Sequence, residues 1–108
     1  MSGLERDLVF AALADGHRRL LLDRLRAQNG LSLAALCDGL PISRQAVTKH
    51  LKVLEDANLV LTRKQGREKL HYLNPVPIHA IAMSWLGQFD SVKLDALFAL
   101  EGARAAGR

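Results

Sequence analysis

Residues 42–73 constrain this chain more than any other stretch. Pro41 stops whatever helix precedes it, and Ser43 is an N-cap candidate, its hydroxyl placed to accept from a free backbone N–H near Ala46. Val47, Leu51 and Leu54 then recur at i, i+4 and i+7, with Ala46, His50 and Val53 beside them. That spacing predicts a helix with a broad apolar stripe, which leaves Arg44, Gln45, Thr48, Lys49 and Lys52 on the other side. Asn58 ends it. Two strand-type runs follow, 60–64 and 69–73, joined at Gln65-Gly66-Arg67, with Gly66 supplying a positive φ at the bend. Both runs are short and laced with charge, so they predict a solvated hairpin and not a core sheet.

The flanks supply the partners for that stripe. Apolar residues at 4, 8, 11 and 12, and again at 9, 10 and 13, predict a first helix over 4–14 that is apolar on more than one side. Asp15-Gly16 breaks it, and Asp15 is placed to cap a second helix over 17–28. There Leu20, Leu21, Leu22 and Leu25 are expected inward, and Arg18, Arg19, Arg24 and Arg26 largely outward. Asn29-Gly30 is a stop, Leu31-Ser32 a two-residue strand candidate, and 33–38 a short helix closed by Gly39-Leu40-Pro41. After the hairpin, Asn74-Pro75 opens a last section in which the first helical turn tolerates Pro77. Ile78, Ile81, Trp85 and Phe89 run on at helical spacing, with Ala82 and Leu86 alongside. Asp90-Ser91 interrupts, and Leu94, Leu97, Phe98 and Glu101 predict a further short helix before a frayed tail.

Charge gives this layout a direction. The formal net charge is +4, and residues 43–69 alone hold seven cations against three anions, while the other 81 residues hold eight of each. A helix sized for a groove, with a basic hairpin behind it and the whole excess charge between them, is how a winged helix-turn-helix meets duplex DNA. The expected architecture is mainly α with a small β-hairpin, in the order α-α-α-α-β-β-α, as a single domain over 1–108. The helix-turn-helix falls at 33–57 and the wing at 60–73.

The side chains then take roles. Arg44 and Gln45, in the first turn of the reading helix, suit guanine and adenine edges, and Thr48 a base edge or a thymine methyl. Ser43, Lys49 and Lys52 suit phosphates, and Arg63, Lys64 and Arg67 the flanking backbone or minor groove. His50 borders that side and reads either as a structural histidine or as a phosphate contact. Of His71 and Tyr72, one is expected to pack and the other to face water. The lone Cys37 reads as a small buried hydrophobe, since it has no resolving partner, and suits a reducing cytoplasm. No signal peptide and no run near the roughly 20 apolar residues of a bilayer span is found, so no membrane partner is expected. No glycine-rich phosphate loop or nucleophile-with-base pair suggests an enzyme.

The residues Leu-Ala-Asp-Gly-His-Arg-Arg-Leu from Leu13, Ser-Arg-Gln-Ala-Val-Thr-Lys-His-Leu from Ser43 and Arg-Lys-Gln-Gly-Arg-Glu-Lys-Leu-His-Tyr-Leu-Asn-Pro from Arg63 together resemble the ArsR/SmtB family of bacterial repressors. The likeness covers roughly residues 5–90 and is specific only in combination. It implies a homodimer formed by first and last helices (4–14 and 76–100 here), with Leu4, Leu8, Ala11, Ile78, Ile81, Trp85 and Phe89 in the seam. It also implies an autoregulating repressor on a palindromic operator. The family's metal ligands would fall at Ser32 and Ala34, and at Pro75, Pro77, Gln88 and Ser91, none of them a good ligand. With Cys37, His17, His50, His71 and His79 scattered, the expectation is no metal, no cofactor and membership of a metal-independent branch. The alternatives are a metal- or thiol-responsive repressor of the same fold, and a protein-interaction winged helix. No residue selects an inducer.

Overall fold

Each of the first four helices starts at the capping group its sequence supplies. In the computed structural model, which describes residues 1–92 and 94–106 apart from the side chains of Ser91 and 103–106, α1 (Gly3–Leu13) is capped by Ser2. Asp15 caps α2 (Gly16–Ala27), its Oδ1 accepting from the backbone N–H of His17 at 2.8 Å and of Arg18 at 3.1 Å. Ser32 caps α3 (Leu33–Cys37), and Ser43 caps α4 (Arg44–Asp56) by accepting from Ala46 at 3.1 Å. Each such cap satisfies a backbone donor that the helix itself cannot, worth about 1 kcal/mol. Asn58 leaves α4 with a positive φ of 61°, which Asn tolerates better than most residues.

β1 (Val60–Gln65) pairs antiparallel with β2 (Glu68–Leu73), from Val60 opposite Leu73 to Gln65 opposite Glu68. The connection is therefore only Gly66-Arg67. Gly66 has φ 63° and Arg67 is not left-handed, the pattern of a type II′ hairpin turn. A single bridge from Leu31 to His71 stands where a two-residue strand was expected, and it ties the hairpin to the α2–α3 link. His71 is 3% exposed, and its Nδ1 donates to the Leu31 carbonyl at 2.9 Å, while Tyr72 stays half-buried.

The core sits where the four helices and the hairpin's root converge. Val9 and Ala12 come from α1, Leu21, Leu22 and Leu25 from α2, Leu36 from α3, and Val47, Leu51 and Leu54 from α4. Leu59, Val60 and Ile81 close it. Burying each large side chain stabilises the fold by about 1.5–3 kcal/mol. Leu20 and Val53, expected inward, lie 38% and 37% exposed instead. Each sits at the edge of its helix's stripe, where 3.6-residue periodicity leaves a side chain beside the contact and not in it.

The arginines of α2 do more than face outward, although Arg19 and Arg26 stay exposed as expected. Arg18 donates through Nε to the Ala12 carbonyl at 2.8 Å and through Nη2 to Ala11 at 2.9 Å, and Arg19 reaches Leu13 at 2.7 Å. Arg24 donates to the Leu36 carbonyl at 3.1 Å. Three of the four residues expected outward thus close the C-terminal carbonyls of α1 and α3, groups that a helix leaves unpaired and that attract a cation.

The last section is broken where helical spacing suggested continuity. α5 (Val76–Met83) stops at Ser84, whose hydroxyl turns back to the Ala80 carbonyl, and a 3₁₀ turn (Leu86–Ser91) follows. A Cβ on Gly87 would meet the Ala82 carbonyl oxygen at 2.8 Å, so this reversal needs glycine. α6 (Leu94–Ala106) runs on where a short helix and frayed tail were expected; Gly107 and Arg108 at the end of that tail lie outside the described residues.

Candidate nucleic-acid interface

α3 and α4 form the helix-turn-helix, and α4 presents the side chains expected to read DNA. Ser43, Arg44, Gln45, Thr48, Lys49 and Lys52 are all exposed, as are Arg63, Lys64 and Arg67 on the hairpin. The Thr48 hydroxyl donates to the Arg44 carbonyl at 3.0 Å. An open groove of about 350 Å³ runs between α4 and the hairpin, lined by Arg44, Thr48, Leu51, Glu55, Glu68 and Lys69 among others.

Ion pairs sort the cations of this face. Lys52 meets Asp56 one helical turn on, at 2.9 Å, and that hydrogen bond holds the Lys52 ammonium above its usual pKa. Lys69 on the hairpin meets Glu55 on α4 at 3.4 Å, joining wing to reading helix. Arg44, Lys49, Arg63, Lys64 and Arg67 have no carboxylate partner among the described residues. Exposed pairs are worth about 0–1 kcal/mol, so Lys52 can exchange Asp56 for a phosphate at little cost. The five unpaired cations are free to meet phosphate outright.

His50 is the correction on this face. Its side chain is 18% exposed and its Nδ1 lies 3.2 Å from Arg18 Nη1 and 4.0 Å from Asp15 Oδ1, so it belongs to the contact between α2 and α4 and not to the DNA side. Asp15 holds its carboxyl below the usual pKa, chiefly through the backbone N–H of Arg18, with the His50 and Arg18 charges adding to it. The His17 ring stands 5.7 Å from that of His50. Two histidines that are 33 residues apart in the chain, and scattered as a sequence reads them, therefore share one corner with Asp15. Only the capping role of Asp15 was visible as a local signal.

Of the residues expected in a seam between copies, Leu4, Leu8, Ala11, Trp85 and Phe89 are exposed. Ile78 is half-buried against the core. Ile81 is 2% exposed and is a core residue of the protomer, because the turn of α5 that carries it faces inward. Trp85 packs edge-on against Phe10 of α1 at 5.6 Å and against Phe89 at 5.0 Å, so the two ends of the chain meet in one aromatic cluster. Sequence spacing did not single out Val76 and Met83 of α5, which are also exposed apolar residues.

Comparison with known proteins agrees with this geometry. A family model described as a helix-turn-helix domain matches residues 13–63. The chain is 39% identical over 87 residues to the uncharacterized HTH-type transcriptional regulator YuzN of Bacillus subtilis, covering 75% of this chain and 95% of that protein. It is 43% identical over 75 residues to the HTH-type transcriptional regulator Rv2034 of Mycobacterium tuberculosis, covering 69% of each. The solved structure of an ArsR-like transcriptional regulator from Rhodococcus sp. RHA1 superposes with a TM-score of 0.68 at 32% identity, over 96% of this chain and 89% of that one. The exposed reading helix, the basic hairpin and these relatives together make the chain a member of the ArsR-type winged helix-turn-helix family of DNA-binding transcriptional regulators.

Proposed function

We propose that the chain is a homodimeric repressor of its own operon that binds a palindromic operator, one α4 entering each of two successive major grooves on the same side of the duplex. The observation that carries this reading is the set of five cations on α4 and the hairpin without carboxylate partners, around exposed Arg44 and Gln45 in the first turn of α4. Pairing through the chain ends is supported by exposed Leu4 and Leu8 on α1 and by exposed Trp85 and Phe89 of the aromatic cluster, since apolar surface of that kind marks a contact site. The role is regulatory and not enzymatic, and it belongs in the cytoplasm, where the operator is.

Selection of bound fragments from a genomic library by the purified protein tests this. The expected product is an inverted repeat with half-sites about 10 base pairs apart centre to centre, including one upstream of the protein's own gene. Recovery of no enriched sequence, or of a lone half-site, would overturn it.

A further inference from the structure

We infer that Asp15, His17 and His50 form a binding site for one divalent transition metal ion of the zinc–cobalt–nickel group. One ligand atom from each lies within 4.8 Å of the others, and His50 Nδ1 is 4.0 Å from Asp15 Oδ1. Around a tetrahedral ion with bonds near 2.0–2.2 Å, ligand atoms sit about 3.3 Å apart. Side-chain rotations that bring each atom in by under about 1 Å therefore close the site. Two imidazoles and one carboxylate are a donor set that suits borderline metals, with water completing the shell.

The frame around these groups is built already. The capping bonds from the N–H groups of His17 and Arg18 hold Oδ1 of Asp15 and so fix the carboxylate that faces His50. Arg18 is an opposing charge, with Nη1 3.2 Å from His50 Nδ1 and 3.9 Å from Asp15 Oδ2. Its Nε and Nη2 bonds to Ala12 and Ala11 are independent of that contact. Those two bonds hold the planar guanidinium in place, so it is His50 that must turn its Nδ1 from Arg18 to reach a metal. Occupancy would clip the start of α2 to the middle of the reading helix.

Titration of the full-length protein with Co(II), followed by visible absorption, and with Zn(II), followed by calorimetry, tests the site. One ion per chain is expected, with a Co(II) spectrum distinct from that of the aquo ion. Loss of a second-shell partner alone weakens metal affinity about 10–100-fold, so His50→Gln and His17→Gln should each weaken it at least tenfold. His50→Gln also removes the contact with Arg18 and can disturb the fold; His17→Gln makes no such demand and keeps the test decisive. No binding by the wild type, or binding that His17→Gln leaves unchanged, overturns the assignment.

Discussion

The guanidinium of Arg18 closes the end of helix α1, its Nε donating to the Ala12 carbonyl at 2.8 Å. The same group reaches Ala11 and His50, so one side chain joins α1, α2 and the reading helix. Arg18→Met should cost about 2–3 kcal/mol, because the carbonyls lose a charged donor in a part-buried setting. Arg18→Lys should recover little of that, since an ammonium cannot reproduce the planar fork. Urea unfolding midpoints of the three proteins measure it; an unshifted midpoint in Arg18→Met would make the junction incidental.

Within the proposed DNA role, Arg44 and Lys64 should fail differently. Arg44→Ala removes a base-edge contact, so binding to the selected operator falls by about 1–3 kcal/mol and preference at one base pair relaxes. Lys64→Ala removes a phosphate contact, so all sequences weaken alike and the slope of log K against log salt shrinks by about 0.9. Operator and scrambled duplexes titrated at several salt concentrations separate the two effects. Equal losses of sequence preference from both variants would mean that the assignment of groove to helix and of backbone to wing is wrong.

Phe89 should matter for assembly more than for folding. It is 56% exposed and touches Trp85 at the surface, so Phe89→Asp costs the protomer little packing but puts a charge into the proposed seam. Sedimentation of the variant should show the protomer at concentrations where the proposed wild-type dimer forms, with operator affinity falling in step. A variant that remains fully dimeric would move the seam elsewhere.

Asp15 sets part of the acid stability. Its carboxyl titrates below its usual 3.8 in the folded chain, chiefly because the Arg18 backbone N–H bonds to the ionised form. The native state therefore favours the carboxylate, and the stabilisation is complete above the ordinary value. It is lost as pH falls through the lowered one, because the unfolded chain takes up the proton first. Asp15→Asn keeps a neutral capping acceptor and should flatten the fall in stability between about pH 5 and pH 2. Chemical unfolding across that range, with equal slopes for both proteins, would remove Asp15 from the account.

Much of this molecule is written locally. Ser32, Ser43 and Asp15 start helices through bonds to residues two or three positions on, Gly66 sets a two-residue turn, and the Val47–Leu51–Leu54 spacing faces one side of one helix. Such signals act within four residues, so the chain's order fixes them, and the excess of cations over residues 43–69 is plain from counting. Packing decided what counting could not. It turned Arg18, Arg19 and Arg24 onto helix carbonyls, drew His50 away from the DNA side, buried Ile81 and broke the last helical run at Ser84 because Gly87 must fit under the Ala82 carbonyl. These outcomes depend on groups far apart in the chain that meet only when the helices dock, and no spacing rule within a single helix encodes that meeting.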